Sequence, residues 1–280
     1  MQVDLLCSGS KGNACLIQSS STKILIDCGG TKRHLQSTLL NCDTQPDQLD
    51  AVLITHSHSD HIRQLAMFSQ VPIYACCSLP TPKVKNQPVV LDFHPISCPQ
   101  TLQIGDLKIL AIPTSHDSGP SMGFVISHEA EKLVYITDTG YLPADVFPLL
   151  RGADYYIFES NHDLEMLNQT NRPFWLKARI ASDTGHLCNQ DAARLLSHFV
   201  TSKTKHIILA HLSEEANCPK LALQALEERF KACGIDLSAI HVEAAFQWTP
   251  IRIGSLSSSF SSQEVSIPLK ARASNVTSIL

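Results

Sequence analysis

The chain opens on three short apolar stretches separated by polar turns. Val3–Cys7 and Cys15–Gln18 flank the turn Gly9-Ser10-Lys11-Gly12-Asn13, and Lys23–Asp27 follows a second, serine-rich turn. Apolar runs bounded by Gly, Ser and Asn predict strands. Thr31 is placed to cap a helix over Lys32–Leu40, since a hydroxyl there can accept a free amide of the first turn. Leu49–Thr55 then predicts a strand, Ile62–Ser69 a helix and Val71–Ala75 another strand. The middle of the chain shows few helix signals and five strand-like runs: Val89–Phe93, Thr101–Ile104, Lys108–Pro113, Met122–Ser127 and Lys132–Thr137. After that the pattern alternates. Tyr155–Glu159, His206–Ala210 and Ile240–Ala244 predict strands, with helices over His162–Leu167 and Lys220–Cys233. From Asn189 the apolar residues Ala192, Ala193, Leu195, Leu196 and Phe199 recur at helical spacing,. Two β-rich stretches, each completed by helices, predict an α+β chain of two sheets packed face to face with helices outside. Residues 1–250 read as one domain, and the serine-rich stretch 251–280 as a peripheral tail,.

Composition narrows the class without naming a function. With 280 residues, 44% hydrophobic and 17% charged, the chain is an ordinary globular one. A net charge of −4 gives no global basic field, but a bound metal pair would add local positive charge that such a count misses. The ten cysteines are scattered and include no C-x-x-C pair, which suits reduced thiols better than a disulfide frame. Met-Gln-Val-Asp-Leu-Leu at the start has no basic leader segment, and no apolar run approaches ~18 residues,. The expectation is a cytoplasmic protein without a membrane anchor.

The densest chemical signal is Thr55-His56-Ser57-His58-Ser59-Asp60-His61, directly beyond the apolar run Ala51–Ile54. A strand that exits into a short loop can converge His56, His58, Asp60 and His61. Imidazoles and a carboxylate are ligands for zinc, manganese or iron, and crowded together without a cation they would repel and desolvate one another. Other polar residues stand at strand ends too: Asp27, His116, Asp138 and His211, with His162 and His186 near predicted helix starts. Taken singly, each of these histidines reads more readily as an ordinary satisfied or exposed residue than as a ligand. His116, Asp138 and His211, each directly beyond an apolar strand, together with the 56–61 cluster make a composite site,.

These residues resemble the five motifs of the metallo-β-lactamase superfamily, in order. Asp27 of Ile24-Leu25-Ile26-Asp27-Cys28-Gly29 is similar to the first motif, the 55–61 stretch to the second, and His116, Asp138 and His211 to the third, fourth and fifth. The resemblance covers roughly residues 1–250 and implies a four-layer αββα sandwich with a two-metal site at one edge of the sheets. It implies one ion (Zn, Mn or Fe) among His56, His58 and His116, a second among Asp60, His61 and His211, and Asp138 between them. Two such ions would share a water that loses its proton near neutral pH. Asp27 would then orient the ligand loop, and Asp60 belongs to the catalytic set as well as to the ligands.

A narrower resemblance, to the YycJ (WalJ) group, rests on the Gly9–Asn13 turn, Phe158–Asp163, Gly185-His186-Leu187 and Leu209–Glu215. It implies a phosphodiesterase or DNA exonuclease, with nucleic acid, DNA rather than RNA, as substrate. A small phosphodiester is the alternative partner. His186 would meet the scissile phosphate or protonate the departing oxygen. Ser8 and Asn13 in the glycine turn, and His162, are further candidates for substrate contact, each with a plain structural alternative. Among rival functions, the cyclic phosphodiesterase relatives carry a Cys-rich insertion, whereas Cys7, Cys15 and Cys28 stand isolated. Ribonuclease Z-like enzymes carry a long clamping arm that has no counterpart here. Glyoxalase II-like thioesterases share the second motif but set their third His in Gly-His-Thr, where this chain has Ser115-His116-Asp117.

Overall fold

A computed structural model describes residues 1–256. The strands in chain order are β1 (Gln2–Cys7), β2 (Ala14–Gln18), β3 (Lys23–Ile26), β4 (Ala51–Ile54), β5 (Ile73–Ala75), β6 (Lys83–Val84), β7 (Gln87–Pro88) and β8 (Phe93–Pro95). The second half adds β9 (Gln100–Ile104), β10 (Leu107–Thr114), β11 (Ser121–His128), β12 (Glu131–Ile136), β13 (Tyr155–Glu159), β14 (His206–Ala210), β15 (His241–Ala244) and β16 (Ile251–Gly254). They form two seven-stranded sheets, ordered β16-β1-β2-β3-β4-β5-β8 and β15-β14-β13-β12-β11-β10-β9, with β6 and β7 as a separate hairpin.

Both sheets are mixed in the same way. Antiparallel meanders supply β16-β1-β2-β3 and β9-β10-β11-β12, while β3-β4-β5-β8 and β12-β13-β14-β15 are parallel. Parallel neighbours need crossover connections. Helix Lys32–Asn41 makes the one between β3 and β4, Asn189–Phe199 lies between β13 and β14, and Pro219–Ala232 between β14 and β15. The alternation along β13 shows how a layer is buried on both faces. Tyr155 and Ile157 enter the core shared by the two sheets, and Tyr156 and Phe158 pack under the helices with Phe199, Leu226 and Phe230. That is why the central strands read as continuous apolar runs. Burying a Phe or Leu side chain contributes about 1.5–3 kcal/mol, so these layers fix the sheet register that positions everything at the strand ends.

Thr31 caps its helix by accepting the His34 amide, and Gly234 ends Pro219–Ala232 with φ of 67°, as expected. Four local readings change. The helix expected over Ile62–Ser69 is a short turn of helix, Ser59–Ile62, followed by a 3-10 turn, Leu65–Phe68, because Gln64 N–H turns back to the Cys28 carbonyl. The strand expected at Val89–Phe93 lies at Phe93–Pro95. Helix Leu164–Gln169 starts at Asp163, whose carboxylate accepts the Met166 amide, and an unanticipated helix runs over Phe174–Ile180. Finally, Ile251–Gly254, assigned above to the tail, pairs with β1 and buries Ile253. The rest of the expected tail, from residue 257, lies outside the described residues. Among the described residues no helix is long and apolar enough to cross a membrane.

Candidate metal centre

Both parallel half-sheets deliver their chemistry at the carboxyl ends of strands, where open α/β sheets place sites. Asp27 follows β3, His56 follows β4 by one residue, Asp138 follows β12 by one, Glu159 ends β13 and His211 follows β14. Asp27, Asp138 and His211 have φ of 58°, 54° and 56°. A left-handed backbone at a residue other than glycine costs about 1–3 kcal/mol, and here it turns each side chain back toward the sheet edge.

The side chains converge as two donor sets. His56, His58 and His116 have ligand atoms within 4.8 Å of one another, and so do Asp60, His61 and His211. His58 meets His116 through Nδ1, at 3.2 Å from His116 Nε2. Asp138 stands between the sets, with one oxygen 3.2 Å from His61 Nε2 and the other 3.5 Å from His211 Nε2 and 3.9 Å from His116 Nε2. Three of these buried atoms, His56 Nε2, Asp138 Oδ2 and His211 Nε2, take part in no hydrogen bond. Unpaired buried polar atoms are costly, and these all point their lone pairs into one space. A divalent cation satisfies them, so the donor chemistry fits a metal.

The charges agree. Burial, with His61 nearby, keeps His56 neutral, well below its ordinary value. Burial also opposes protonation of His61 and His211, yet Asp138, Asp27 and Asp60 raise His61, and Asp138 with Asp60 and Glu159 pushes His211 up to about 10. The centre thus carries an excess of carboxylate charge for a cation to neutralise.

Outside the ligands lies a layer that aims them. Asp27, fully buried, accepts His61 Nδ1–H at 2.7 Å and the Thr55 amide at 2.8 Å, and the Thr55 hydroxyl bonds the same carboxylate. Holding Nδ1 this way fixes the tautomer that leaves Nε2 for a metal. Glu159, also fully buried, does the same work on the other sheet. It receives His186 Nδ1 at 2.8 Å, His211 Nδ1 at 3.0 Å and the Thr139 amide at 2.9 Å. His186 holds its carboxyl below the usual range against the effect of burial. His116 is aimed by its Nδ1, 3.0 Å from the Gly185 carbonyl oxygen. Asp117, paired with Arg179, reaches within 3.6 Å of His58 Nε2.

His186 is brought to the centre: its ring lies 5.0 Å from that of His116 and 5.3 Å from that of His211. Ser8, Asn13 and His162 are buried. Ser8 Oγ is buried and accepts the His211 amide at 2.8 Å. Asn13 is fully buried, with Nδ2 3.2 Å from Asp60 Oδ2 and 3.0 Å from His61 Nε2. His162 is buried beneath the site, and burial pushes it down to about 4. Ser8 and Asn13 turn their side chains into the protein interior, while Ser10 and Lys11 of the same turn are exposed. Glu159 and Asp117 stand beside the donor sets and are not among the residues singled out from the sequence.

A profile of the beta-lactamase superfamily domain matches residues 22–212. The chain belongs to the metallo-β-lactamase superfamily. It is similar to the exodeoxyribonuclease YycJ of Bacillus anthracis, 34% identical over 239 residues that span 82% of this chain and 90% of the relative. The exodeoxyribonuclease WalJ of Streptococcus pneumoniae is 33% identical over 225 residues, 78% of this chain and 84% of its own. Among solved structures, the metallo-β-lactamase fold protein YhfI from Bacillus subtilis matches with a TM-score of 0.66 at 19% identity, covering 90% of this chain and 98% of that one. At that identity the match speaks for the fold alone.

Proposed function

We propose that the protein is a two-metal phosphodiesterase that acts on DNA as an exonuclease. The observation that carries this reading is the pair of donor sets sharing Asp138, with His186 held on Glu159 at their margin. The similarity to the two exodeoxyribonucleases supports DNA as the substrate. Zinc or manganese, with iron as a third candidate, fits mixed imidazole and carboxylate ligands. Two such ions supply Lewis acidity and an activated water.

The chain's own residues do the rest. Asp138 spans both donor sets and fixes their separation. Asp27 and Thr55 lock His61, while Asn13 and Ser8 hold Asp60 and the His211 backbone in place. Glu159 keeps the proton of His186 on Nδ1, which leaves Nε2 as the nitrogen that faces a phosphate. As an imidazolium it donates to the added negative charge of the transition state or to the leaving oxygen.

Parallel assays with Mn²⁺ or Zn²⁺ on bis-p-nitrophenyl phosphate, end-labelled DNA and S-lactoylglutathione test this. We expect phosphodiester turnover and progressive shortening of DNA from an end. Thioester turnover without phosphodiester turnover would overturn the reading. His186→Ala is expected to slow DNA hydrolysis by about 10²–10⁴-fold with metal content retained; loss of metal would make it a ligand instead.

A further inference from the structure

A groove of about 590 Å³ opens beside the metal loop, and its lining carries three cations and no carboxylate: Lys32, Arg63 and Lys83, with Ser57 and Ser59 on the loop side. Ser57 and Ser59 alternate in sequence with His56, His58 and Asp60, so the groove borders the loop that carries these donor atoms. Lys32, Arg63 and Lys83 are exposed, and none makes an ion pair among the described residues. Lys11, Arg172, Arg179, Arg194, Lys203, Lys205 and Arg252 elsewhere in the chain are matched to carboxylates. A chain of net charge −4 that leaves three cations unmatched around one groove has built a local anion-attracting surface. The lining also carries apolar side chains, Ile62, Leu65, Met67, Pro80, Pro82 and Val84.

We infer that this groove holds the single DNA strand that continues from the scissile phosphate. The inference rests on the phosphodiesterase reading above and extends it to a strand path. A single strand presents both chemistries the groove offers: a phosphate every nucleotide for the cations, and unpaired base faces for the apolar side chains. A duplex would keep its bases stacked inside and leave the apolar side chains unused. Lys83 stands on the β6–β7 hairpin, which contributes Lys83 and Val84 to the groove, and Arg63 stands directly after helix Ser59–Ile62, at the end of the ligand loop. The strand would therefore run from the metals outward between the ligand loop and the hairpin.

The test is a triple variant, Lys32→Gln, Arg63→Gln, Lys83→Gln, at exposed positions where neutral side chains leave the fold intact. Its binding of a short fluorescein-labelled oligothymidylate in EDTA, and its kcat/KM on the same oligonucleotide with Mn²⁺, are compared with wild type across a salt series. Each phosphate contact on a single strand contributes about −0.7 to the slope of log affinity against log salt. Removing three flattens the slope by about 2 and weakens binding by about 10²-fold at 0.1 M salt. Turnover of bis-p-nitrophenyl phosphate, too small to reach the groove, is expected at the wild-type rate. An unchanged slope and unchanged oligonucleotide binding would overturn the inference. If wild type bound the oligonucleotide through the three cations yet shortened no DNA, the groove would stand and the exonuclease reading would fall.

Discussion

The two sheets contribute to one centre by opposite means. On the first sheet, His56, His58, Asp60 and His61 come from one loop pinned by its own neighbourhood. Cys28 N–H bonds the His61 carbonyl at 2.7 Å, Asn13 N–H bonds the Asp60 carbonyl at 2.8 Å, and Asp27 aims His61. On the second sheet Asp138, Glu159 and His211 each stand on their own strand exit, and His186 stands before helix Asn189–Phe199. Asp138, His186 and His211 are far apart in sequence, and Glu159 gathers two of them together with the Thr139 and Leu187 amides. The first rim is therefore set by local loop contacts, and the second by the register of three parallel strands. The loop holds His56 and His58 of one donor set and Asp60 and His61 of the other, so an error in it should reach both sets. A misplaced strand exit on the second sheet should reach the donor it carries and, through Glu159, that donor's neighbour.

The largest expected effect falls where the two rims meet. Asp138→Asn keeps a side chain that tolerates the left-handed backbone but removes the charge between the donor sets. Losing several kcal/mol of metal-centred stabilisation corresponds to about 10³-fold or more in kcat/KM, with metal content by elemental analysis falling at both sets. Retention of two ions per chain would contradict the shared position of this carboxylate.

Next comes the pair of orienting carboxylates. Replacing a group that aims a metal ligand typically costs about 10–100-fold in metal affinity or activity. Glu159→Gln disturbs His186 and His211 together, so it should lower activity more than metal content alone explains. Asp27→Asn disturbs His61 and should be rescued by added metal. Were excess Mn²⁺ to restore both variants equally, the asymmetry between the rims would be wrong.

Much of this was legible beforehand, and the exceptions have physical reasons. The 55–61 stretch could be read because all its ligands share one loop, and Asp27 because it closes an apolar run before two glycines. Glu159 lay in plain view at the end of Tyr155–Phe158, but the strand pattern absorbed it. A carboxylate ending a fully buried strand is a signal in itself, since burial is expensive without partners. The sequence offers Ser8 and Asn13 only as candidates for substrate contact, because composition shows a glycine turn and not the direction of its side chains; both side chains are buried. Strand β16 was hidden by the serine-rich composition around it, and its pairing with β1 spans almost the whole described chain.

Glycine substitutions sharpen the comparison at smaller amplitude. A Cβ on Gly29 would lie 1.6 Å from the Asp60 carbonyl oxygen, and one on Gly185 would lie 2.2 Å from that of Ile180. Overpacking of this kind costs about 1–3 kcal/mol. Gly29→Ala should displace the ligand loop and lower metal occupancy with Asp60 and His61. Gly185→Ala should leave those ligands in place and move His186 and the carbonyl that aims His116. Equal loss of metal in both, read beside the thermal midpoint, would mean that the loop and the second rim are not separable.

The smallest effect tests whether the register of the second sheet truly sets its rim. Asp154, just before β13, ties the starts of the strands whose far ends carry Asp138, Glu159 and His211. Its carboxylate accepts the Lys132 amide at 2.9 Å and pairs with Lys203 at 2.8 Å and Lys205 at 3.1 Å. Burial raises its pKa, but these lysines and the Lys132 amide outweigh that and hold it below the ordinary value. A depressed carboxylate contributes stability that is fully present above its unfolded pKa and is lost as pH falls through its folded pKa. Both lysines are half-exposed, which limits the contribution to about 1 kcal/mol. Asp154→Asn should therefore be less stable than wild type by about that amount in urea at pH 7, and the gap should close as the pH drops below ~4. If the variant also loses phosphodiester activity at pH 7 while remaining folded, the strand starts govern the distant rim; if activity is untouched, Glu159 alone is enough to hold it.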